Sequence, residues 1–185
     1  KLARFKKRCN GFLRRTQRQT QSQSSRYRIR TIESFNSLTM SLPPGRALEL
    51  PGRGQTFIRE VQGPPGAPTI FLLHGWTATA DLNWFTVFDT LGEHFRIIAP
   101  DHRGHGKGIN SKSPFRLEDC ADDVAAIADV LGINTFIPVG YSMGGTIAQL
   151  MWKRHEHRVR GLVLAATAGH WATSRRERFM FTLLT

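Results

Sequence analysis

Ser142 lies in Gly140-Tyr141-Ser142-Met143-Gly144, a G-x-S-x-G pattern within VGYSMGGT at 139–146. An apolar run precedes it and a helix-like run follows, so the serine falls at a sharp strand-to-helix turn. A hydroxyl held in such a turn projects out of the sheet, and the flanking glycines leave room for a tight backbone path. The chemistry open to it is nucleophilic attack on a carbonyl. A helix starting at Met143 would turn its free N–H groups towards the charge developing on the carbonyl oxygen, with the Met143 N–H as one oxyanion donor. The plainer alternative is a small residue filling a tight turn.

The elements that must position these groups can be read in order. ALEL and QTFIREV form two strands around PGRG, and GPPGAP is a loop. TIFLLHG is a continuous apolar run, as expected of a strand buried on both faces. ADLNWFTVFDTLGEHF has helical spacing at Leu82, Phe85, Phe88 and Leu91, and RIIAPD is a second short buried strand. Leu117, Ala121, Val124, Ala125, Ala128 and Leu131 form a helical stripe that Gly132 should end. TFIPVGYS is a strand despite Pro138, MGGTIAQLMWKRHEH a helix, and VRGLVLAAT a further strand. This alternation predicts an α/β fold, a mostly parallel sheet with helices on both faces, and ligands at the carboxyl ends of the strands.

A second oxyanion donor is expected from the loop after an earlier strand. FLLHGW provides it: His74-Gly75 ends the buried strand, and the Trp76 N–H would face Ser142. At this point the sequence resembles the α/β-hydrolase superfamily over about residues 47 to 170. The resemblance is carried by FLLHGWTATADLNW, IIAPDHRGHGKG, LEDCADDVAAIADVLGI, PVGYSMGGTIAQ and GLVLAAT, in that superfamily's order. It implies a serine hydrolase of a carboxylic ester or related acyl bond, with Ser142 as nucleophile, Trp76 and Met143 as backbone oxyanion donors, and no cofactor or metal. It also implies an acid and then a histidine after the serine. Only 43 residues follow Ser142, with Glu156 and Glu177 as acids and His155, His157 and His170 as histidines. None suits the part, so the triad acid and histidine are expected outside this chain, which reads as an N-terminal fragment lacking most of its cap and inactive alone.

Several other residues invite chemistry and receive structural readings. His74 is expected to shape the oxyanion loop rather than act as base. Asp101, His102 and His105 in DHRGHG have a metal-like spacing with no further ligand in sight, so Asp101 and Arg103 are read as loop architecture. His155 and His157 should cap a helix or face water, and His170 could line the pocket. Cys120 is read as a structural thiol, and Trp84, Phe85 and Phe88 as core. Ser at the elbow argues against relatives that use Asp there. Cofactor-free haloperoxidases, enol-lactonases and carbon–carbon hydrolases stay open, as does a non-catalytic binding protein.

The net charge of +12 belongs to a segment. Lys1 to Ile32 carries eleven of the 26 Lys and Arg and no acid, leaving fifteen basic against fourteen acidic residues beyond it. Residues 1–39 lack periodic apolar positions and read as disordered. A basic arm for nucleic acid or anionic lipid, a transit peptide, and sequence foreign to the natural protein compete for this segment. The third is preferred, with Met40 as the start. Residues 40–170 then form the core and 171–185 the start of a cap. Two cysteines make no disulfide framework, and no run of about 18 apolar residues exists. A cytoplasmic location is expected.

Overall fold

The computed structural model describes residues 41–168. The expected basic segment, the proposed start at Met40 and the cap at 171–185, with His170 and Glu177, lie outside them. A six-stranded sheet has the order β1-β2-β4-β3-β5-β6. Its strands are β1 (Gly45–Leu50), β2 (Gly54–Val61), β3 (Thr69–Leu73), β4 (Arg96–Pro100), β5 (Ile137–Tyr141) and β6 (Val163–Ala165). The first two pairings are antiparallel, β1 with β2 and β2 with β4. The remaining three, β3 with β4, β3 with β5 and β5 with β6, are parallel. The helices are α1 (Ala80–Trp84), α2 (Phe88–Gly92), α3 (Leu117–Val130) and α4 (Met143–Arg154), with a 3-10 turn at Glu156–Arg158. Among the described residues no helix is long and apolar enough to cross a membrane.

The continuous apolar strands are explained by two cores. Side chains alternate across a strand, so Phe71 and Leu73 join Ile98, Val124, Ile127, Phe136, Ile147 and Met151 on the α3–α4 face. Ile70 and Leu72 join Ile97, Ala99 and Phe88 on the α1–α2 face. Each Val, Leu, Ile, Phe or Met side chain among them, fully withdrawn from water, contributes about 1.5 to 3 kcal/mol before entropy is counted. The helix α3 buries the expected stripe at Ala121, Val124, Ala125 and Ala128, joined by Cys120 and Ile127. Gly132, at φ +65°, ends it.

The segment 80–92 differs from its sequence reading. It is two five-residue helices, and Leu82 and Phe85 are exposed while Phe88 is buried. The break at Phe85–Val87 resets the helical phase, and Trp84, Val87 and Leu91 are the residues that pack on the second core. Phe88 is thus a core residue, as expected, Trp84 is partly buried against that core, and Phe85 is not part of it.

The strand order changes direction at β3: the chain steps from β3 to β4 on one side, then crosses to β5 on the other. The crevice at such a switch point, at the carboxyl ends, is where open α/β sheets bind ligands. The loops after β3 and β5 meet there. Their closeness depends on Gly144, where a Cβ would overlap the backbone carbonyl of Leu73. Gly144→Ala is expected to cost about 1 to 3 kcal/mol, the upper end being favoured because the obstacle is backbone. A urea midpoint unchanged by this substitution would contradict the packing described.

Candidate active site

Ser142 caps the N-terminus of α4 at φ 52°, ψ −115°, and its side chain makes no capping hydrogen bond. A serine at a helix N-cap ordinarily accepts an N–H from the first turn. Here the backbone aims the hydroxyl elsewhere, at a cost of about 1 to 3 kcal/mol for a non-glycine residue in this region. The turn is tied by Ser142 N–H to Ala165 O at 2.9 Å and by Gly145 N–H to Ser142 O at 3.0 Å. Three non-glycine residues among those described have positive φ: Thr77, Ser142 and Ala166. All three follow the carboxyl ends of parallel strands.

The loop after β3 lies against this turn. A Cβ built on Gly75 would stand 3.4 Å from Ser142 Cβ and 3.2 Å from the Tyr141 ring. Gly75 donates its N–H to Asn83 Oδ1 at 2.8 Å. The His74 ring bonds Gly75 O through Nδ1 at 2.8 Å and accepts the His102 N–H at Nε2, 2.9 Å away. An Nε2 that accepts cannot carry a proton, so the proton of the neutral ring sits on Nδ1. Both nitrogens of His74 are therefore engaged, and it cannot serve Ser142 as a base in this arrangement. Trp76, about two-fifths exposed, rests edge-on against His105 and Phe115, with ring centroids 5.0 and 5.1 Å away.

Burial pushes His74 down to about 4 from its usual 6.5. It pushes His102 well below its usual value too, with His74 and His105 adding repulsion. A histidine whose folded pKa is depressed contributes stability that is present above the unfolded pKa and lost as pH falls through the folded one. The urea midpoint is therefore expected to fall as pH drops from about 6.5 towards about 4. A flat midpoint across that window would contradict buried, neutral histidines.

The loop after β4 is braced rather than reactive. Asp101 accepts the Ala80 N–H on one oxygen and the Lys107 N–H on the other, both at 2.9 Å. Arg103 makes a forked pair with Asp123 at 2.6 and 2.7 Å, and Arg53 adds a third bond to that carboxylate at 2.6 Å. Among the described residues no cluster of three or more His, Cys, Asp or Glu could hold a metal. Cys120 is fully buried and its thiol is pushed up to about 12, mainly by burial, so it is inert. His155 caps the C-terminus of α4, as expected, its N–H bonded to Met151 O at 2.8 Å, and its ring also pairs with Asp122 at 2.9 Å. A groove lined by Gly66, Pro68, Thr69, Thr135 and Arg160 lies at the amino ends of β3 and β5, remote from Ser142. Among the described residues no imidazole is hydrogen-bonded to Ser142.

A mostly parallel sheet with helices on both faces, and a helix that begins at a strained serine beside the switch point, defines an α/β fold. The family model described as alpha/beta hydrolase fold matches residues 68–182, and the chain belongs to that family. It is 40% identical over 84 residues to the bifunctional esterase/perhydrolase DCH of Acinetobacter calcoaceticus, covering 45% of this chain and 30% of that protein. It is 37% identical over 111 residues to 2-hydroxy-6-oxo-2,4-heptadienoate hydrolase of Pseudomonas putida, covering 56% of this chain and 38% of that protein. Among solved structures, a hydrolase from Pseudomonas aeruginosa superposes with a TM-score of 0.66 at 26% identity, over 76% of this chain and 53% of that one. The chain thus spans less than half the length of the two curated relatives.

Proposed function

We propose that the protein is a serine hydrolase of carboxylic esters or related acyl bonds. The observation that carries this reading is Ser142 itself: a strained, uncapping serine at the start of α4, with Gly75 packed against it. Its Oγ attacks the acyl carbonyl as the hydroxyl proton passes to a histidine base. The Trp76 and Met143 N–H groups hold the oxyanion, and the protonated base hands its proton to the departing alcohol. Water, deprotonated by the same base, then releases the acid and restores the serine. The base and its carboxylate are assigned to no described residue; the ring bonds of His74 and His155 speak against those two. The family match and relatives named as esterase and hydrolase support the reading. The esterase/perhydrolase relative favours one variant, in which hydrogen peroxide replaces water and the product is a peracid.

The test is covalent. The protein expressed from its complete reading frame is treated with a fluorophosphonate, and the adduct is mapped by peptide mass. A single adduct on the Ser142 peptide is expected. A folded protein that takes no label would overturn the nucleophile assignment and favour a non-catalytic binding role.

A further inference from the structure

We infer that Asn83 is a positioning residue for the oxyanion site, its side-chain carbonyl working with the His74 ring to aim the Trp76 N–H. This rests on the serine-hydrolase reading. The geometry concerns two successive peptide planes. The plane joining His74 to Gly75 is held by Gly75 N–H donating to Asn83 Oδ1 at 2.8 Å. The plane joining Gly75 to Trp76 is held by His74 Nδ1–H donating to Gly75 O at 2.8 Å. In a planar trans peptide the C=O and N–H point in opposite directions, so fixing Gly75 O fixes the direction of the Trp76 N–H. Gly75 has no Cβ and would otherwise be the freest joint in the loop. Both of its planes are clamped from outside.

Asn83 is itself anchored. It sits in α1, whose five residues cannot form a stable helix unaided. Asp101 takes the Ala80 N–H at 2.9 Å, and Thr79 Oγ takes the Leu82 N–H at 3.2 Å. The other Asp101 oxygen binds the Lys107 N–H. Hydrogen bonds therefore run from the end of β4 through Asp101 and α1 to Gly75. Asparagine is a poor helix former because its amide competes with the backbone. Its place in so short a helix is explained by the acceptor it presents to Gly75.

The experiment compares Asn83→Leu with Asn83→Asp in the protein expressed from its complete reading frame. Leucine removes the acceptor at similar bulk, and aspartate keeps it. Asn83→Ala removes the acceptor without branching and answers if the leucine variant does not fold. Removing an oxyanion donor outright costs about a hundred- to a thousand-fold in kcat. A mis-aimed donor is expected to lower kcat at least about tenfold in Asn83→Leu, with KM within about threefold. Exchange of the Gly75 amide is expected to quicken in Asn83→Leu and stay slow in Asn83→Asp. A folded Asn83→Leu with unchanged kcat overturns the proposal, as does a loss confined to KM. An inert wild type overturns the hydrolase reading and the positioning role with it. That failure is recognisable because Gly75 exchange would still separate leucine from aspartate.

Discussion

Ser142→Ala is expected to lower kcat by about a million-fold, the scale seen when a serine nucleophile is removed, and to abolish fluorophosphonate labelling. The fold should survive the change, because alanine keeps the Cβ and no capping bond is lost. Glycine at the same position sharpens the contrast. At φ 52° a glycine is unstrained, so Ser142→Gly is expected to be as inactive as alanine yet more stable than the natural protein by about 1 kcal/mol. Opposite signs for activity and stability at one residue are the signature of a side chain kept for chemistry in spite of its backbone. A residue that merely fills a turn would lose neither activity nor labelling in either variant. The measurements are kcat and KM on an activated ester, with urea midpoints beside them.

Asp123→Ala is expected to destabilise the fold by about 3 to 5 kcal/mol, the range for breaking a buried ion pair by removing one partner. Asp123 and Arg103 have side-chain exposures of 8% and 10%, and the carboxylate also holds Arg53. Alanine would leave the Arg103 guanidinium buried without its forked acceptor. It would also release Arg53, which links the β1–β2 turn to α3 through Asp119 O as well. Asp123→Asn, which keeps one oxygen, is expected to lose less. The loss should reach the site too, since Arg103 follows His102, whose N–H holds the His74 ring. An Asp123→Ala protein as stable as the parent would mean the three bonds are not formed together in solution.

Much of this architecture was legible from local pattern. TIFLL and RIIAP read as two-sided strands because both of their faces are covered, and the structure assigns alternate residues to two cores. The stripe and the terminal Gly132 of α3 were similarly clear, because helix periodicity and a positive-φ stop are local signals. The segment 80–92 misled for the same reason. Leu82 and Phe85 have the right spacing, but a break after Trp84 changes which residues face the sheet, and periodicity counts residues rather than breaks. The elbow at Ser142 and the glycine after His74 announced themselves by spacing. The Asn83 clamp, the His102 N–H on His74 and the double use of Asp101 did not. They join residues 8, 28 and 21 positions apart in sequence, and an unremarkable asparagine in a short helix carries no motif.

One tie at the elbow reaches into the dynamics of the sheet. The Ser142 N–H hangs on Ala165 O in β6, whose three residues are exposed and, among the described residues, pair with β5 alone. Local unfolding begins where cover is thinnest and backbone bonds are fewest. Fraying of β6 would thus free the Ser142 N–H as well. Any segment or surface that settles over β6 would therefore hold the backbone of the proposed nucleophile from the side.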